Sequence, residues 1–177
     1  MNIRRMVLLA LFVAVASVLH VVEAWLPLPF PVPGIKLGLA NVVSLLAIGF
    51  YGWRAAIMVA VLRVMIGSLF GGTLFGPAFA MSMGGALFST MGMGYMYQYH
   101  RPAFSVVGVS IIGAVIHNAA QIVIAALLVV SAGLLWYLPY LILFAVLSGA
   151  GTGFTAAYIL AKMPRHFMDQ SVDMERS

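Results

Sequence analysis

The chain has 177 residues, of which 64% are hydrophobic and only 7% charged, with a net charge of +5 at neutral pH. A soluble domain carries about 25% charged residues, so this composition excludes a soluble globular protein and points to an all-α integral membrane protein. The absence of cysteine excludes disulfides, thiolate metal sites, cysteine nucleophiles and thiol redox chemistry. The positive charge lies at loop ends, which speaks for membrane orientation and not for nucleic acid.

In chain order, Arg4 and Arg5 precede an apolar run from Met6 to Leu26. About 20 apolar residues suffice to cross a bilayer, so this run is read as a first transmembrane helix. It is preferred over a cleaved leader, although Ala14-Val15-Ala16 has the small residues of a cleavage site. His20 and Glu23 lie one turn apart near its far end. The proline-rich connector 27–34 is not helical and belongs outside the hydrocarbon.

Lys36 opens a short second span over residues 37–51, with Asn41 in its first turns. A corner at Gly52-Trp53-Arg54 leads to a third span over 54–70, apolar except for Arg63. The glycine-rich connector 71–76 and Pro77 precede a methionine- and glycine-rich fourth span over 77–97. His100-Arg101-Pro102 breaks the chain before a fifth span over 104–131, which carries His117, Asn118 and Gln121. A sixth span runs over 135–161. One domain, 1–163, then holds all six transmembrane helices, followed by a polar tail over 164–177.

With six spans both termini share a side. That side collects Arg4, Arg5, Arg54, Arg101, Lys162 and Arg165, against Lys36 alone on the other. The positive-inside rule therefore places both termini in the cytoplasm. At 1.5 Å of rise per residue, His20, Glu23, Asn41, His117, Asn118 and Gln121 fall in the outer part of the spans, with Arg63 near mid-depth. His117 and Gln121 share a helix face. The expected pattern is a polar outer layer above an apolar inner half.

An intramembrane charge costs roughly 2.5–3.5 kcal/mol on insertion scales and is by default a functional hypothesis. Arg63 either binds a ligand or hydrogen-bonds the carbonyls of the Gly71–Gly72 break. The other polar residues either form a pocket or make interhelical hydrogen bonds, typically worth under ~1 kcal/mol each. Their convergence in one layer favours a pocket open to the outside. Lys36 and Arg63 suit a carboxylate or phosphate, with Glu23 pairing one of them when the site is empty. Trp25, Phe30, Phe70, Phe75 and Phe79 flank this level, as stacking partners for a ring or as an interfacial belt. The methionines of the fourth span are read as packing in preference to copper ligation, and the histidines show no ligand-pair spacing. No metal and no cofactor is expected.

No GxxxxGK[ST] loop, serine elbow or HExxH is present. The spans hold a single acid, which leaves paired-carboxylate catalysis nothing to work with. The chain is therefore expected not to be an enzyme.

Six short spans, a basic N-terminus and an outward polar layer resemble the substrate-binding S components of energy-coupling factor vitamin transporters. That resemblance implies a transmembrane coupling subunit and separate ATPases as partners. It also implies that Ala10 and Ala14, an AxxxA pair on one face of the first helix, pack against the coupling subunit. The runs KLGLANVVSLLAIGFYGWRAA (36–56), RVMIGSLFGGTLFGPAF (63–79) and GAVIHNAAQI (113–122) resemble the bacterial membrane family known as Gx transporters, also labelled heptaprenyl diphosphate synthase component I. The likeness covers most of residues 5–160.

The two labels imply different functions. Prenyl diphosphate synthases hold magnesium on aspartate-rich clusters, whereas this chain has only Asp169 and Asp173, both in its tail. The expected function is a substrate-capturing subunit of the bacterial cytoplasmic membrane, in contact with lipid and binding a small amphipathic vitamin, cofactor precursor or similar solute. The alternative is a non-catalytic accessory subunit of isoprenoid diphosphate or quinone metabolism. A channel is disfavoured because no charge ring or filter sequence is visible.

Overall fold

A computed structural model describes residues 3–26, 36, 38–100 and 103–162. The described residues form α1 (Ile3–Trp25), α2 (Asn41–Phe70), α3 (Pro77–Tyr99), α4 (Val106–Val129), a 3₁₀ turn (Ala132–Tyr137) and α5 (Leu138–Lys162), with no strand. Four segments are long and apolar enough to cross a membrane: α1, α2, α4, and the 3₁₀ turn with α5. The glycines, serines and polar C-terminal turn of α3 make it the least apolar of the five helices.

The helix ends follow the local sequence. Gly76 and Pro77 open α3, since proline at the first helical position lacks only an amide that would go unpaired. Ser105 caps α4, its Oγ accepting from Gly108 N at 3.1 Å. The connector 71–76 lies where the sequence puts it, and the predicted sixth span begins with the 3₁₀ turn.

The decisive backbone feature lies inside α2. Gly52 has φ +78° and ψ 171°, outside the helical region, a conformation that side-chain-bearing residues rarely adopt. Arg63 Nη2 donates to Asn41 Oδ1 at 2.8 Å, across 22 positions of chain. A straight helix would separate those positions by about 33 Å. The chain therefore folds back at Gly52, and residues 41–51 and 53–70 form two antiparallel arms. The corner expected at Gly52-Trp53-Arg54 is present, with backbone hydrogen bonding continuous enough to make one element of the two arms.

α2 packs against each of the other four helices, while α1–α2, α2–α3, α3–α4 and α4–α5 are the main neighbouring pairs. The Gly52 end of the bundle gathers basic residues. Arg5 lies over the Tyr51 ring, 5.8 Å from its centroid. A methyl group on Gly94 would meet Trp53, and one on Gly49 would meet Leu160 and Tyr97. The start of α1, the corner, the end of α3 and the end of α5 thus share one end, with Arg4, Arg5, Arg54 and Lys162. Lys36 belongs to the opposite end. Arg101, Arg165 and the tail lie outside the described residues.

The main core fills the Gly52 half. Leu9 and Val13 of α1 meet Leu45, Ala47 and Phe50 of one arm and Ala56 and Val59 of the other, with Met93, Val109, Ala156 and Leu160. Of the methionines of α3, Met93 is fully buried and fills the space left by Gly113, whereas Met91 is exposed.

Candidate functional site

Each predicted polar residue is carried by a helix or by the short stretch before α2, and all eight are buried. Relative exposure is 1% for Arg63, 0% for Gln121 and Asn118, and at most 5% for His20, Glu23, Lys36, Asn41 and His117. Burial at this level needs partners, because an unpaired polar group in an apolar interior costs several kcal/mol by transfer.

Seven of the eight converge. The stretch leading into α2 is the meeting point. Lys36 N donates to Gln121 Oε1 of α4 at 3.1 Å. Lys36 Nζ lies 2.6 Å from His20 Nε2 of α1. An ammonium only donates, so His20 accepts at Nε2. Glu23 Oε1 accepts from Gly38 N and from Leu39 N, the latter at 3.2 Å. Asn41 then reaches Arg63 in the second arm.

Glycines allow these approaches. Gly38, at φ +81°, adopts a conformation that disfavours side chains, and a methyl group there would sit 2.8 Å from Asn41 Nδ2 and 3.4 Å from His117. Gly85 of α3 faces His117 and Gln121, and a methyl group there would fall 2.9 Å from the His117 ring. Elements from α1 to α4 thus contribute to one polar layer.

Glu23 is coupled electrostatically to Lys36 and Arg63, as expected, and has a second role as a hydrogen-bond acceptor. It accepts from backbone amides of the non-helical stretch and does not serve as the hydrogen-bonding partner of either cation. The contacts of Arg63 and Lys36 are to neutral side chains, Asn41 and His20. Those backbone amides lack helical partners, and a buried one left unsatisfied is costly. A carboxyl group one helix away supplies the acceptor.

Asn118 stands apart. Its Nδ2 donates to the Leu141 carbonyl of α5 at 3.1 Å, which makes it a tie between α4 and α5 and not part of the convergent layer. Ala10 and Ala14 are exposed on the outer face of α1, away from the core. Trp25, Phe70 and Phe75 are exposed, at 76%, 76% and 81%, so they do not stack over the polar layer. Phe79 packs beside Ala60, Val64 and Ala86, and Phe30 lies outside the described residues. Among the described residues no group of three or more His, Cys, Asp or Glu is placed to hold a metal ion.

Sequence reasoning missed Ser44, Ser68, Ser82 and Thr90. All four are buried, and their hydroxyls have no hydrogen-bond partner. The available signal was helical spacing: Ser44 lies three residues after Asn41, and Ser82 three before Gly85, so each shares a face with a site residue.

No curated protein and no solved structure matches the chain. The model of the family described as heptaprenyl diphosphate synthase component I matches residues 12–159. That span takes in the whole polar layer and both arms of α2, and the chain belongs to the heptaprenyl diphosphate synthase component I family.

Proposed function

We propose that the protein is a solute-capturing subunit of a bacterial cytoplasmic membrane, crossing it six times with both termini inside. It takes up a small amphipathic vitamin, cofactor precursor or similar solute, powered by a separate coupling subunit and ATPases. The observation that carries this reading is the convergence of Arg63, Lys36, Asn41, His117, Gln121, His20 and Glu23 in one buried layer. Scattered interhelical hydrogen bonds have no need to meet at one place. The orientation is supported by the basic residues gathered at the Gly52 end.

The partner requirement is supported by the missing phosphate loop and by the exposure of Ala10 and Ala14. Two small residues one turn apart let a second helix approach closely. Co-purification with candidate coupling subunits tests this directly. A complex that survives Ala10→Leu with Ala14→Leu removes α1 as the docking face.

The family description supports a second reading, a non-catalytic accessory subunit of isoprenoid diphosphate or quinone metabolism. Both aspartates lie in the tail, so the chain itself does not hold magnesium in the manner of prenyl diphosphate synthases. On either reading it is not the catalytic subunit. Native mass spectrometry of gently extracted protein separates the two: a retained water-soluble molecule supports solute capture, and a retained prenyl lipid supports the accessory role. Arg63→Ala abolishes retention while leaving membrane insertion intact, and Lys36→Ala weakens it less. Loss of expression with unchanged affinity in the surviving protein would show Arg63 to be structural.

A further inference from the structure

The unpaired groups of the polar layer are not chemically balanced. Among the hydrogen-bonding oxygens, Glu23 Oε1 is taken by Gly38 N and Leu39 N, Asn41 Oδ1 by Arg63 Nη2, and Gln121 Oε1 by Lys36 N. These contacts fix which end of each amide is oxygen, because an N–H must meet an acceptor. The amide nitrogens therefore point elsewhere, and neither Asn41 Nδ2 nor Gln121 Nε2 has a partner. Arg63 Nε is likewise unpartnered. All three of these nitrogens are donors only. Charge is unbalanced in the same sense: even with Glu23 ionised, Arg63 and Lys36 leave the layer one cation in excess.

From this geometry we infer that the captured molecule presents an oxyanion, a carboxylate or a phosphoryl group, to Arg63 Nε, Asn41 Nδ2 and Gln121 Nε2. The inference rests on the solute-binding reading and narrows its ligand to one chemical class. An oxyanion supplies both things the layer lacks, several acceptor lone pairs and one negative charge. A cation would add to the excess charge. A neutral donor-rich molecule would leave the same nitrogens unpaired. The oxyanion has two possible sources, a water-soluble acid or the diphosphate headgroup of a prenyl lipid.

The test uses the full chain in mild detergent at constant ionic strength, with thermal unfolding as the readout, since a ligand that binds only the folded state raises its midpoint. The anionic probes are benzoate, pyrophosphate and farnesyl diphosphate; benzamide and tetramethylammonium are the neutral and cationic controls. At least one anion raises the midpoint and the controls do not. Response to benzoate or pyrophosphate identifies a water-soluble source, and response to farnesyl diphosphate alone identifies a lipid headgroup. Arg63→Gln weakens the responding anion about tenfold or more, the worth of one charge-assisted contact.

Asn41→Asp provides a second and independent arm. It places a carboxylate of the same shape against Arg63, so it raises the midpoint of the unliganded protein and removes the anion response. An Asn41→Asp protein that is less stable and still responds to anions overturns the inference. So does a neutral or cationic molecule retained in native mass spectrometry equally by the wild type and by Arg63→Gln, an outcome that leaves solute capture standing. No retained molecule and no response to any probe would sink both.

Discussion

The two halves of the bundle bury side chains equally well and do opposite things with them. In the Gly52 half, Leu45, Ala56, Val59, Met93 and Ala156 are essentially inaccessible. Between α4 and α5 the hydroxyls close on one another: Ser110 and Thr152 lie 2.9 Å apart, and Thr152 also donates to Ser148 O at 2.9 Å. Around Gly38, the buried groups include two cations, one acid, two amides and two imidazoles, and several of their nitrogens meet nothing. One half is closed mainly by apolar packing, with Thr90 Oγ1 an unpaired hydroxyl within it, and the other leaves guanidinium and amide nitrogens unpaired. The difference marks the polar layer as the candidate site without a motif, because unsatisfied buried donors are expensive and each needs an explanation.

The largest expected effect comes from putting the wrong chemistry in the apolar half. Val59→Asp places a carboxylate among Leu45, Ala56 and Met93 with no partner, which costs at least about 4 kcal/mol and prevents folding. Recovery of folded protein by size-exclusion chromatography in detergent reads this out, and a well-folded variant would mean the core is wetter than described. Next, Glu23→Ala strands the Gly38 and Leu39 amides. Each buried amide left unpaired costs about 1–3 kcal/mol, and the unfolding midpoint falls accordingly even without ligand.

Gly52→Ala probes the corner between the two arms of α2. A methyl group there meets nothing within 4 Å, so the cost of about 1–3 kcal/mol comes from backbone conformation alone. An unchanged midpoint would show that the fold-back does not need glycine. The smallest effect is Thr152→Val, which removes the hydroxyl pair with Ser110. Interhelical hydrogen bonds of this kind average about 0.6 kcal/mol, and ligand retention stays at the wild-type level.

Much of this contrast was legible in the sequence, because membrane helices are set by long apolar runs and by their punctuation. The fourth and fifth spans end within two residues of α3 and α4, and the glycine-rich connector 71–76 separates helices as expected. The polar layer was legible in part from depth: His117 and Gln121 share a face, but Arg63 was expected at mid-depth, below Asn41, and the fold-back at Gly52 instead brings the two side chains together. The acceptor role of Glu23 toward the Gly38 and Leu39 amides was not legible. A sequence shows where charges lie but not which backbone amides lose their partners, and the need for an acceptor at Gly38 appears only once that stretch is seen to be non-helical. Asn118 shows the converse limit. Adjacent to His117, it points about 100° away round the helix and meets α5, so membership of a polar run did not decide membership of the site. Ser44 and Ser82 escaped notice because a buried hydroxyl in an apolar helix usually bonds a carbonyl of its own preceding turn.

The short first arm of α2 bears on how the protein is made. Residues 41–51 rise about 16 Å, roughly half of a hydrocarbon layer ~30 Å thick. The stretch before them has its amides capped by Glu23 and Gln121. Hydrocarbon tolerates irregular backbone only where protein covers it, so this arm has no stable place in lipid when it first leaves the ribosome. The expected outcome is that it settles only once α4 has been synthesised and Gln121 can accept from Lys36 N. Nascent chains that stop short of residue 121 would leave the segment before α2 accessible from the aqueous side.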